Sequence, residues 1–343
     1  MNGFEWSSPR DTAEAAGAAT ATVAAAMVSP GGTPSRDGAV FKAGGIDLLD
    51  LLKEGLLTPR RVVNLRTVPG LDAIAPTPDG GLRIGANVTL ARLAADPLVG
   101  ARYRALADVA GASASPQIRH VATIAGNLLQ RPRCWYFRSR DHHCVRKGGD
   151  VCFAFGGENQ HHAIFDHAGC AIVHPSTSAT ALVAFNAKLE LVNGDGGKRV
   201  VGLEEFFVLP LVDVHRENDL KAGEIVTAIL LPAQSPTSRS VHIKQGELDS
   251  FDWPIADVAV TLDIAPDGTC QGAAIVLGAA APTPHRAKAA EQTLRGKPID
   301  EALARTAAHA ALQGAAPLSK NAYKLPIFET LVRRAILAAA RRA

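Results

Sequence analysis

The sequence predicts an α+β protein with two domains, and three observations support this prediction. The chain has 343 residues, of which 47% are hydrophobic, so it can bury more than one core. Short segments with strand character are mixed with segments of helical periodicity and end at glycine-rich turns. Residues 233–240 are rich in Pro, Ser and Thr, which is typical of a domain boundary. We therefore expect a first domain over residues 1–232 and a second over residues 233–343.

The first domain begins with a predicted βαβ unit. Residues 39–42 and 62–65 have strand character, and residues 48–54 between them have helical periodicity. Gly44 and Gly45 form a turn ahead of this helix. The order of strand, glycine turn, helix and strand defines the unit. Two elements precede it: a strand over residues 4–10 and a helix capped by Asp11, with Glu14 three residues later.

The remaining elements follow by the same criteria. In the first domain they are a strand over residues 82–87, helices over 90–98 and 103–110, a loop with weak strand character over 116–127, and strands over 181–192 and 199–203 joined by a turn at 193–197. In the second domain they are strands over residues 256–264 and 271–277, joined at 266–268, and helices over 284–294, 301–312 and 327–342. The second domain is therefore predicted to be a small antiparallel sheet with helices.

Charge and hydropathy exclude several classes of protein. With 36 basic and 33 acidic residues, the net charge of +3 argues against an electrostatic nucleic-acid binder. No run of 18 uninterrupted apolar residues occurs, so we expect no membrane span. The alanine-rich run at residues 15–27 lacks the basic start of a secretory signal, which predicts folding in the cytoplasm. An odd number of cysteines disfavours a fully paired disulfide framework.

Two short loops have the composition of phosphate-binding loops. The first consists of Lys42, Ala43, Gly44, Gly45, Ile46, Asp47 and Leu48. Paired glycines let the backbone approach a ligand closely, and amides at a helix N-terminus favour a diphosphate. The second, residues 123–127, adds the side-chain donors of Thr123 and Asn127 and a glycine, Gly126. Each loop alone is also compatible with a plain turn, but the pair indicates a dinucleotide with a diphosphate bridge.

Four of the five cysteines lie in one segment, residues 131–170. Cys134, Cys144, Cys152 and Cys170 have the spacing C-x9-C-x7-C-x17-C. This spacing lacks the close C-x2–4-C pair of structural zinc sites, and simple ferredoxin runs are tighter. The spacing therefore does not identify the metal, but a cubane iron–sulfur cluster needs four thiolates. The alternative interpretation is four buried thiols that bind nothing.

Basic and imidazole side chains crowd the same segment. The basic residues are Arg131, Arg133, Arg138, Arg140, Arg146 and Lys147. They would offset the negative charge of a thiolate-bound cluster, or they would form a solvated basic face. The histidines are His142, His143, His161, His162 and His167. They are further candidate ligands, although four thiols favour surface or hydrogen-bonding roles for most of them.

Five motifs in combination are typical of one family. They are Phe4-Glu5-Trp6, residues 42–48, residues 117–127, residues 277–287 and Asn321-Ala322-Tyr323-Lys324. With them the sequence resembles, over nearly its whole length, the FAD-binding subunits of molybdenum hydroxylases. This family includes the medium subunits of xanthine dehydrogenase, carbon monoxide dehydrogenase and bacterial aldehyde oxidoreductases. The resemblance implies a two-subdomain FAD-binding fold of the PCMH type, followed by a small antiparallel-sheet domain with helices.

The cysteine segment resembles that of one subgroup. Residues 131–137, 157–159 and 162–164 are similar to flavin subunits that carry an additional [4Fe–4S] cluster, as in three-subunit aldehyde oxidoreductases. The resemblance implies that the four clustered cysteines hold this cluster. Flavin subunits of the hydroxybenzoyl-CoA reductase type also carry a cluster and remain an alternative.

The resemblance also implies roles for residues of the cofactor site. Residues 43–48 would hold the FAD diphosphate, with Lys42 also in the cofactor site, and Thr123, Gly126 and Asn127 would contact the flavin and its linker. His174 and Ser176 would lie near the cofactor, and Lys244 beside the isoalloxazine ring. The sequence departs from the family at two positions: Ala125, where glycine is usual, and Thr177, where aspartate is common.

The implied function is electron transfer within a larger enzyme. A large partner subunit with molybdopterin would oxidise an aldehyde, and a small subunit with [2Fe–2S] clusters would pass the electrons to FAD. An external acceptor would then take them, so this chain alone is not expected to oxidise aldehydes. The alternatives are a flavin subunit of the xanthine dehydrogenase or hydroxybenzoyl-CoA reductase type and a non-enzymatic metal-binding module. Export on a signal carried by a partner would place the complex in the periplasm instead of the cytoplasm.

Overall fold

The fold comprises twelve strands and fourteen helices in a computed structural model that describes residues 2–29, 31–248 and 250–341. The strands are β1 (Glu5–Ser7), β2 (Ala39–Lys42), β3 (Arg61–Asn64), β4 (Ile74–Pro76), β5 (Leu82–Gly85), β6 (Lys188–Val192), β7 (Lys198–Gly202), β8 (Ile225–Leu231), β9 (Ser238–Gln245), β10 (Ala256–Ile264), β11 (Cys270–Gly278) and β12 (His285–Arg286). The helices are α1 (Thr12–Ala18), α2 (Val23–Met27), α3 (Ile46–Lys53), α4 (Leu90–Ala95), α5 (Pro97–Arg102), α6 (Arg104–Ala112), α7 (Pro116–Arg119), α8 (Ile124–Leu128), α9 (Trp135–Arg138), α10 (Thr177–Ala184), α11 (Leu203–Phe206), α12 (Lys288–Leu294), α13 (Glu301–Ala310) and α14 (Lys324–Arg341). None of the described helices is long and apolar enough to cross a membrane.

The predicted βαβ unit is confirmed. β1, β3 and β2 form a parallel sheet in that order, and Val40 on β2 lies opposite Val62 on β3. Parallel strands need a crossover connection, which α3 supplies. Leu51 on the inner face of α3 is fully buried in one cluster with Val40 and Val62. This packing fixes the N-terminus of α3 at the carboxyl end of β2.

The predicted hairpin of residues 188–202 is confirmed within a five-stranded antiparallel sheet. The strand order is β4-β5-β8-β6-β7, and β6 pairs with β7 across the glycine-rich turn. β8 is central in this sheet, and it has no counterpart among the elements that the sequence predicts. Its seven residues are almost entirely buried and apolar, so they lack the alternation that marks a half-buried strand.

One predicted strand region and one predicted loop are helical instead. The strand predicted over residues 181–192 begins only at Lys188, because residues 177–184 form α10. Every residue from 178 to 184 is buried, and a run of small and apolar residues that is buried all round has no periodicity to separate helix from strand. The predicted loop over residues 116–127 contains α7 and α8, which are started by the side-chain caps of Ser115 and Thr123.

The helix predicted after Asp11 is also divided, into α1 and α2. The Asp11 carboxylate accepts the Glu14 amide at 2.8 Å, so the predicted N-cap is confirmed. The Glu14 side chain accepts the amide of Arg10 rather than that of Asp11, so the reciprocal capping box is not formed.

The second hairpin belongs to a four-stranded antiparallel sheet with the order β12-β11-β10-β9. β10 and β11 match the predicted strands within one residue at each end. The helix predicted from residue 284 begins at Lys288, because residues 285–286 pair with β11. α14 begins three residues earlier than predicted, and the predicted end at Arg342 lies outside the described residues. α12, α13 and α14 cover the sheet, with Phe328 and Ile336 fully buried against it.

Candidate functional site

A cavity of about 600 Å³ is open between the glycine loop after β2, the segment around α8 and the loop between β9 and β10. This volume lies within the range of small-molecule and cofactor sites. The predicted site residues that line it are Lys42, Ala43, Gly44, Gly45, Ile46, Asp47, Leu48, Thr123, Gly126, Asn127 and Lys244. Tertiary structure therefore brings together eleven residues from three segments that are far apart in sequence.

The glycine loop has the features of an anion cradle. Gly45 adopts φ +87°, a left-handed conformation that favours glycine, and no side chain caps α3. An added Cβ at Gly44 would lie 2.3 Å from the carbonyl oxygen of Val121, so only glycine fits there. The first amides of α3 thus face the cavity region without a side-chain acceptor, where a negatively charged group is favoured.

The second loop is held rigidly by its own hydrogen bonds. The Thr123 hydroxyl accepts the amide of Gly126 at 3.2 Å and caps α8. Ile124 donates its amide to the Val88 carbonyl, which ties the loop to the strand end beside it. Ala125, where the family usually has glycine, is inside α8 and has an ordinary helical conformation. The departure at this position is therefore sterically compatible with the loop.

His174 and Ser176 do not line the cavity but lie behind its wall. Burial lowers the pKa of His174 to about 3, and its ring packs edge-on against Phe207 at 4.5 Å. The Ser176 hydroxyl caps α10 and donates to the Asn127 side-chain oxygen at 2.6 Å. Ser176 therefore orients Asn127, and the neighbouring Thr177 lines the cavity.

The loop between β9 and β10 forms one side of the cavity. Lys244 donates from Nζ to the carbonyl of Asp252 at 3.1 Å, which stabilises this loop. Phe251 and Trp253 line the cavity and are largely exposed. The guanidinium of Arg133 lies 4.8 Å from the centre of the Trp253 ring, a cation–π contact that joins the loop to the cysteine segment.

The four clustered cysteines surround a second cavity of only about 10 Å³. Cys134, Cys144, Cys152 and Cys170 all line it, together with apolar and aromatic side chains. All five cysteines of the chain are free thiols. Among the described residues, no three His, Cys, Asp or Glu side chains converge closely enough for a single metal ion. A four-iron cluster is wider than one ion, and four thiols around a shared space have the donor chemistry that it requires.

The protonation of these thiols reflects burial and mutual hydrogen bonding. Burial raises the pKa of Cys134 to about 12 and also raises the pKa of Cys144. A hydrogen bond between Cys152 and Cys170 raises the pKa of Cys152 and lowers that of Cys170. Without a ligand, most of these thiols are therefore protonated at neutral pH. Because a metal binds thiolates, loading of the cavity would release protons.

Of the six basic residues of the cysteine segment, Arg131, Arg146 and Lys147 are buried and Arg133 and Arg138 are half-buried, so the alternative of a solvated basic face is wrong for these five. Asp47 at the start of α3 accepts hydrogen bonds from Arg138 Nη2 at 2.6 Å and from the Arg131 amide at 2.8 Å. Arg131 and Arg146 bind the two oxygens of the Glu217 carboxylate at 2.7 and 2.5 Å. Arg140 is the exposed member of the group. The segment is thus docked on both the glycine loop and Glu217.

The histidines of the segment have mixed environments. His162 lies 3.2 Å from Cys134 Sγ, and burial lowers its pKa to about 4. His167 bonds the Ala316 carbonyl at the surface. Sequence reasoning missed Glu217, which lines the larger cavity. Its neighbours in sequence give no pattern, because its partners lie 71 and 86 residues away.

The larger cavity, with its glycine loop at an uncapped helix N-terminus, defines a site suited to a phosphate-bearing cofactor. The family model of the "FAD binding domain in molybdopterin dehydrogenase" matches residues 2–234. That of the "CO dehydrogenase flavoprotein C-terminal domain" matches residues 242–339. The chain belongs to the FAD-binding medium subunits of the molybdenum hydroxylase family, and it is an oxidoreductase subunit.

Known relatives agree with this assignment. The chain is 38% identical over 259 residues to the aldehyde oxidoreductase FAD-binding subunit PaoB of Escherichia coli K12, covering 75% of this chain and 79% of that protein. The structure of carbon monoxide dehydrogenase from Hydrogenophaga pseudoflava matches with a TM-score of 0.74 at 24% identity, over 100% of this chain and 99% of that one. Quinoline 2-oxidoreductase from Pseudomonas putida 86 matches with a TM-score of 0.73 at 25% identity, over 99% of this chain and 98% of that one. The predicted family and α+β fold are therefore confirmed.

Proposed function

We propose that this chain is the FAD- and [4Fe–4S]-containing electron-transfer subunit of a molybdenum-dependent aldehyde oxidoreductase complex. The observation that carries the proposal is the convergence of four thiols on one cavity, in a chain whose 38% identical relative is named an aldehyde oxidoreductase subunit. A large molybdopterin subunit would convert aldehyde and water into carboxylic acid, two protons and two electrons. A small [2Fe–2S] subunit would deliver the electrons to this chain, and an external acceptor would receive them.

The residues of the larger cavity are suited to FAD. In the proposal the amides at the start of α3, with Gly44 and Gly45, hold the diphosphate, because they combine close approach with a favourable helix dipole. Thr123, Gly126, Asn127 and Lys244 line the same cavity; the first three would contact the flavin end, and Lys244 would lie near the ring. His174 and Ser176 support this site from behind its wall. When bound, FAD supplies the ability to accept electrons singly and release them in pairs.

The residues of the smaller cavity are suited to the cluster. Four sulfurs and the buried guanidinium of Arg146, whose Nε lies 3.5 Å from Cys170 Sγ, combine the ligands with a nearby positive charge.

The division at residue 232 is part of the same proposal, since residues 232–237 connect β8 to β9 of a different sheet. A cytoplasmic location is proposed, or a periplasmic one if a partner carries an export signal.

Analysis of the native assembly tests the function. The complex purified from its source should contain FAD, iron and acid-labile sulfide, together with a large and a small subunit. It should oxidise aldehydes, whereas the isolated chain should not. A preparation with neither flavin nor labile sulfide would refute the proposal, and aldehyde turnover by the isolated chain would refute the division of labour.

A matched pair of cysteine variants tests the cluster separately. Cys144→Ser should lose the iron and the broad iron–sulfur absorption while it retains FAD. Cys270→Ser is the control, because Cys270 is fully buried but lies in β11 and lines neither cavity. Equal iron content in both variants would exclude Cys144 as a ligand. Flavin reduction and acceptor turnover measured in Cys144→Ser would show whether the cluster relays electrons or only stabilises the segment.

A further inference from the structure

One buried carboxylate lies between the two cavities. Glu217 is 3% exposed, and its two oxygens bind Arg131 and Arg146, which are 2% and 1% exposed. Glu217 and Arg131 line the larger cavity, whereas Arg146 lines the cysteine cavity. The three side chains therefore form a continuous, buried ion-pair chain from one cavity wall to the other.

This triad of Arg131, Glu217 and Arg146 has an excess of positive charge. Two guanidiniums share one carboxylate, so the triad by itself carries a net charge of +1. Arg131 Nε and Nη2 and Arg146 Nη2 are buried donors without a hydrogen-bond partner among the described residues. An unbalanced buried charge is costly unless another anion compensates it. An anionic group at either cavity would provide that compensation.

The two arginines of the triad have contacts with the walls of both cavities. Arg146 donates from Nε towards Cys170 Sγ at 3.5 Å, so it touches one of the four thiols. Arg131 stacks over Phe137, with 5.0 Å from its guanidinium to the ring centre, and its backbone amide binds Asp47 at the start of α3. Arg146 is thus adjacent to the thiols, and Arg131, which lines the larger cavity, is tied through its backbone to the loop of that cavity. Charges that interact through a dry interior are weakly screened.

We propose that Glu217 is a positioning residue that couples the electrostatics of the two cavities and thereby sets the reduction potentials of both the flavin and the cluster. The inference rests on the proposed function, because it assumes that a cluster occupies the cysteine cavity. Reduction adds negative charge to a cofactor, so a buried positive charge nearby favours the reduced form and raises the potential. One carboxylate shared by two guanidiniums controls how much of that charge each cavity experiences.

Variants that raise the charge of the triad should shift both reduction potentials in the opposite direction from variants that lower it. Glu217→Gln changes the net charge of the triad from +1 to +2, so both potentials should rise. Arg131→Gln changes it to zero, so both should fall. The double variant Glu217→Gln/Arg131→Gln restores +1 and should return both potentials towards the wild-type values. A merely structural defect would not reverse its sign between variants or recover in the double variant.

The measurement is a redox titration of the purified complex, with the flavin followed by visible absorption and the cluster by electron paramagnetic resonance. Glu190→Gln is the control, because Glu190 is ion-paired to Arg83 at 2.8 Å and lines neither cavity. It should leave both potentials unchanged, and a shift like that of Glu217→Gln would overturn the proposal. If Glu217→Gln does not fold, Arg131→Gln and the double variant decide by the same signs.

Other outcomes also overturn the inference and locate the failure. If the potential of only one cofactor shifts, the triad acts on one cavity alone. If neither potential shifts, the triad is only structural. Iron in the wild-type protein with unshifted potentials would refute this inference alone. A wild-type protein without iron would refute the proposed cluster, and this inference with it.

Discussion

Gly44→Ala should weaken FAD binding, because the added methyl group has no room. An ideal Cβ at this position would lie 2.3 Å from the carbonyl oxygen of Val121 and 3.2 Å from Cα of Ala122. Ordinary carbon–oxygen contacts are about 3.3–3.6 Å, so the loop must move by roughly 1 Å. Both contacted atoms belong to the backbone and cannot rotate away. The displaced loop is the one that carries the first amides of α3.

The magnitude follows from the cost of overpacking. Extra methyl groups in packed sites cost about 1–3 kcal/mol. If that strain falls on the bound state, the dissociation constant for FAD rises roughly 5- to 140-fold, at about 1.4 kcal/mol for each factor of ten. If part of it falls on the free protein, the melting temperature of the FAD-free chain decreases as well, and the loss of affinity is smaller.

The assay is a calorimetric titration of FAD into protein from which the flavin has been removed. Gly100→Ala is the control: Gly100 lies in α5, and an added Cβ would meet no atom within 4 Å. It should bind FAD like the wild type. Wild-type affinity in Gly44→Ala, with an unchanged melting temperature, would refute the argument that this loop approaches the cofactor closely.

Asp47→Asn should lower the melting temperature and the iron content, because the ion pair with Arg138 loses its charge; a charged hydrogen bond contributes about 1.5–3 kcal/mol. Asp37→Asn, at an exposed position, is its control. Equal iron content in the two variants would contradict the role of Asp47 in docking the cysteine segment on the glycine loop. His174 has a folded pKa of about 3 against an ordinary 6.5, so the unfolded chain binds the extra proton as the pH falls. Stability should therefore decrease below pH 6.5, by up to about 1.4 kcal/mol per pH unit for this group. Denaturant unfolding at pH 6.5 and 5 should show a smaller decrease in His174→Gln than in the exposed His120→Gln, and equal decreases would contradict the assignment.

The parts of the fold that the sequence predicted well have strong local signals. The hairpin of β10 and β11 has a turn with Asp267 and Gly268 between two β-rich runs, and its bounds agree within one residue. The βαβ unit has a glycine turn and an amphipathic helix. The wrong assignments fall where the chain is buried on all sides. α10 and β8 are both almost entirely buried, so neither has the alternation of buried and exposed positions that marks a helix or a strand, and only their neighbours decide that one is a helix and the other a strand.

The candidate site shows the same division. The glycines of the first loop and the crowding of four cysteines are visible in the sequence, because the backbone conformation and the ligand chemistry depend on residue type. The placement of His174 and Ser176 behind the cavity wall, rather than in it, depends on how α10 packs against α8. Neither residue type nor spacing carries that information.

The sequence by itself determined the family, the two loops of the larger cavity and the four thiols, since each is a property of residue identity along the chain. Only the tertiary structure decided that the thiols surround one space and that Glu217 joins their cavity to the other. The reason is physical: ion pairs and cavity walls are set by packing between segments up to 86 residues apart, and no local pattern encodes the contact.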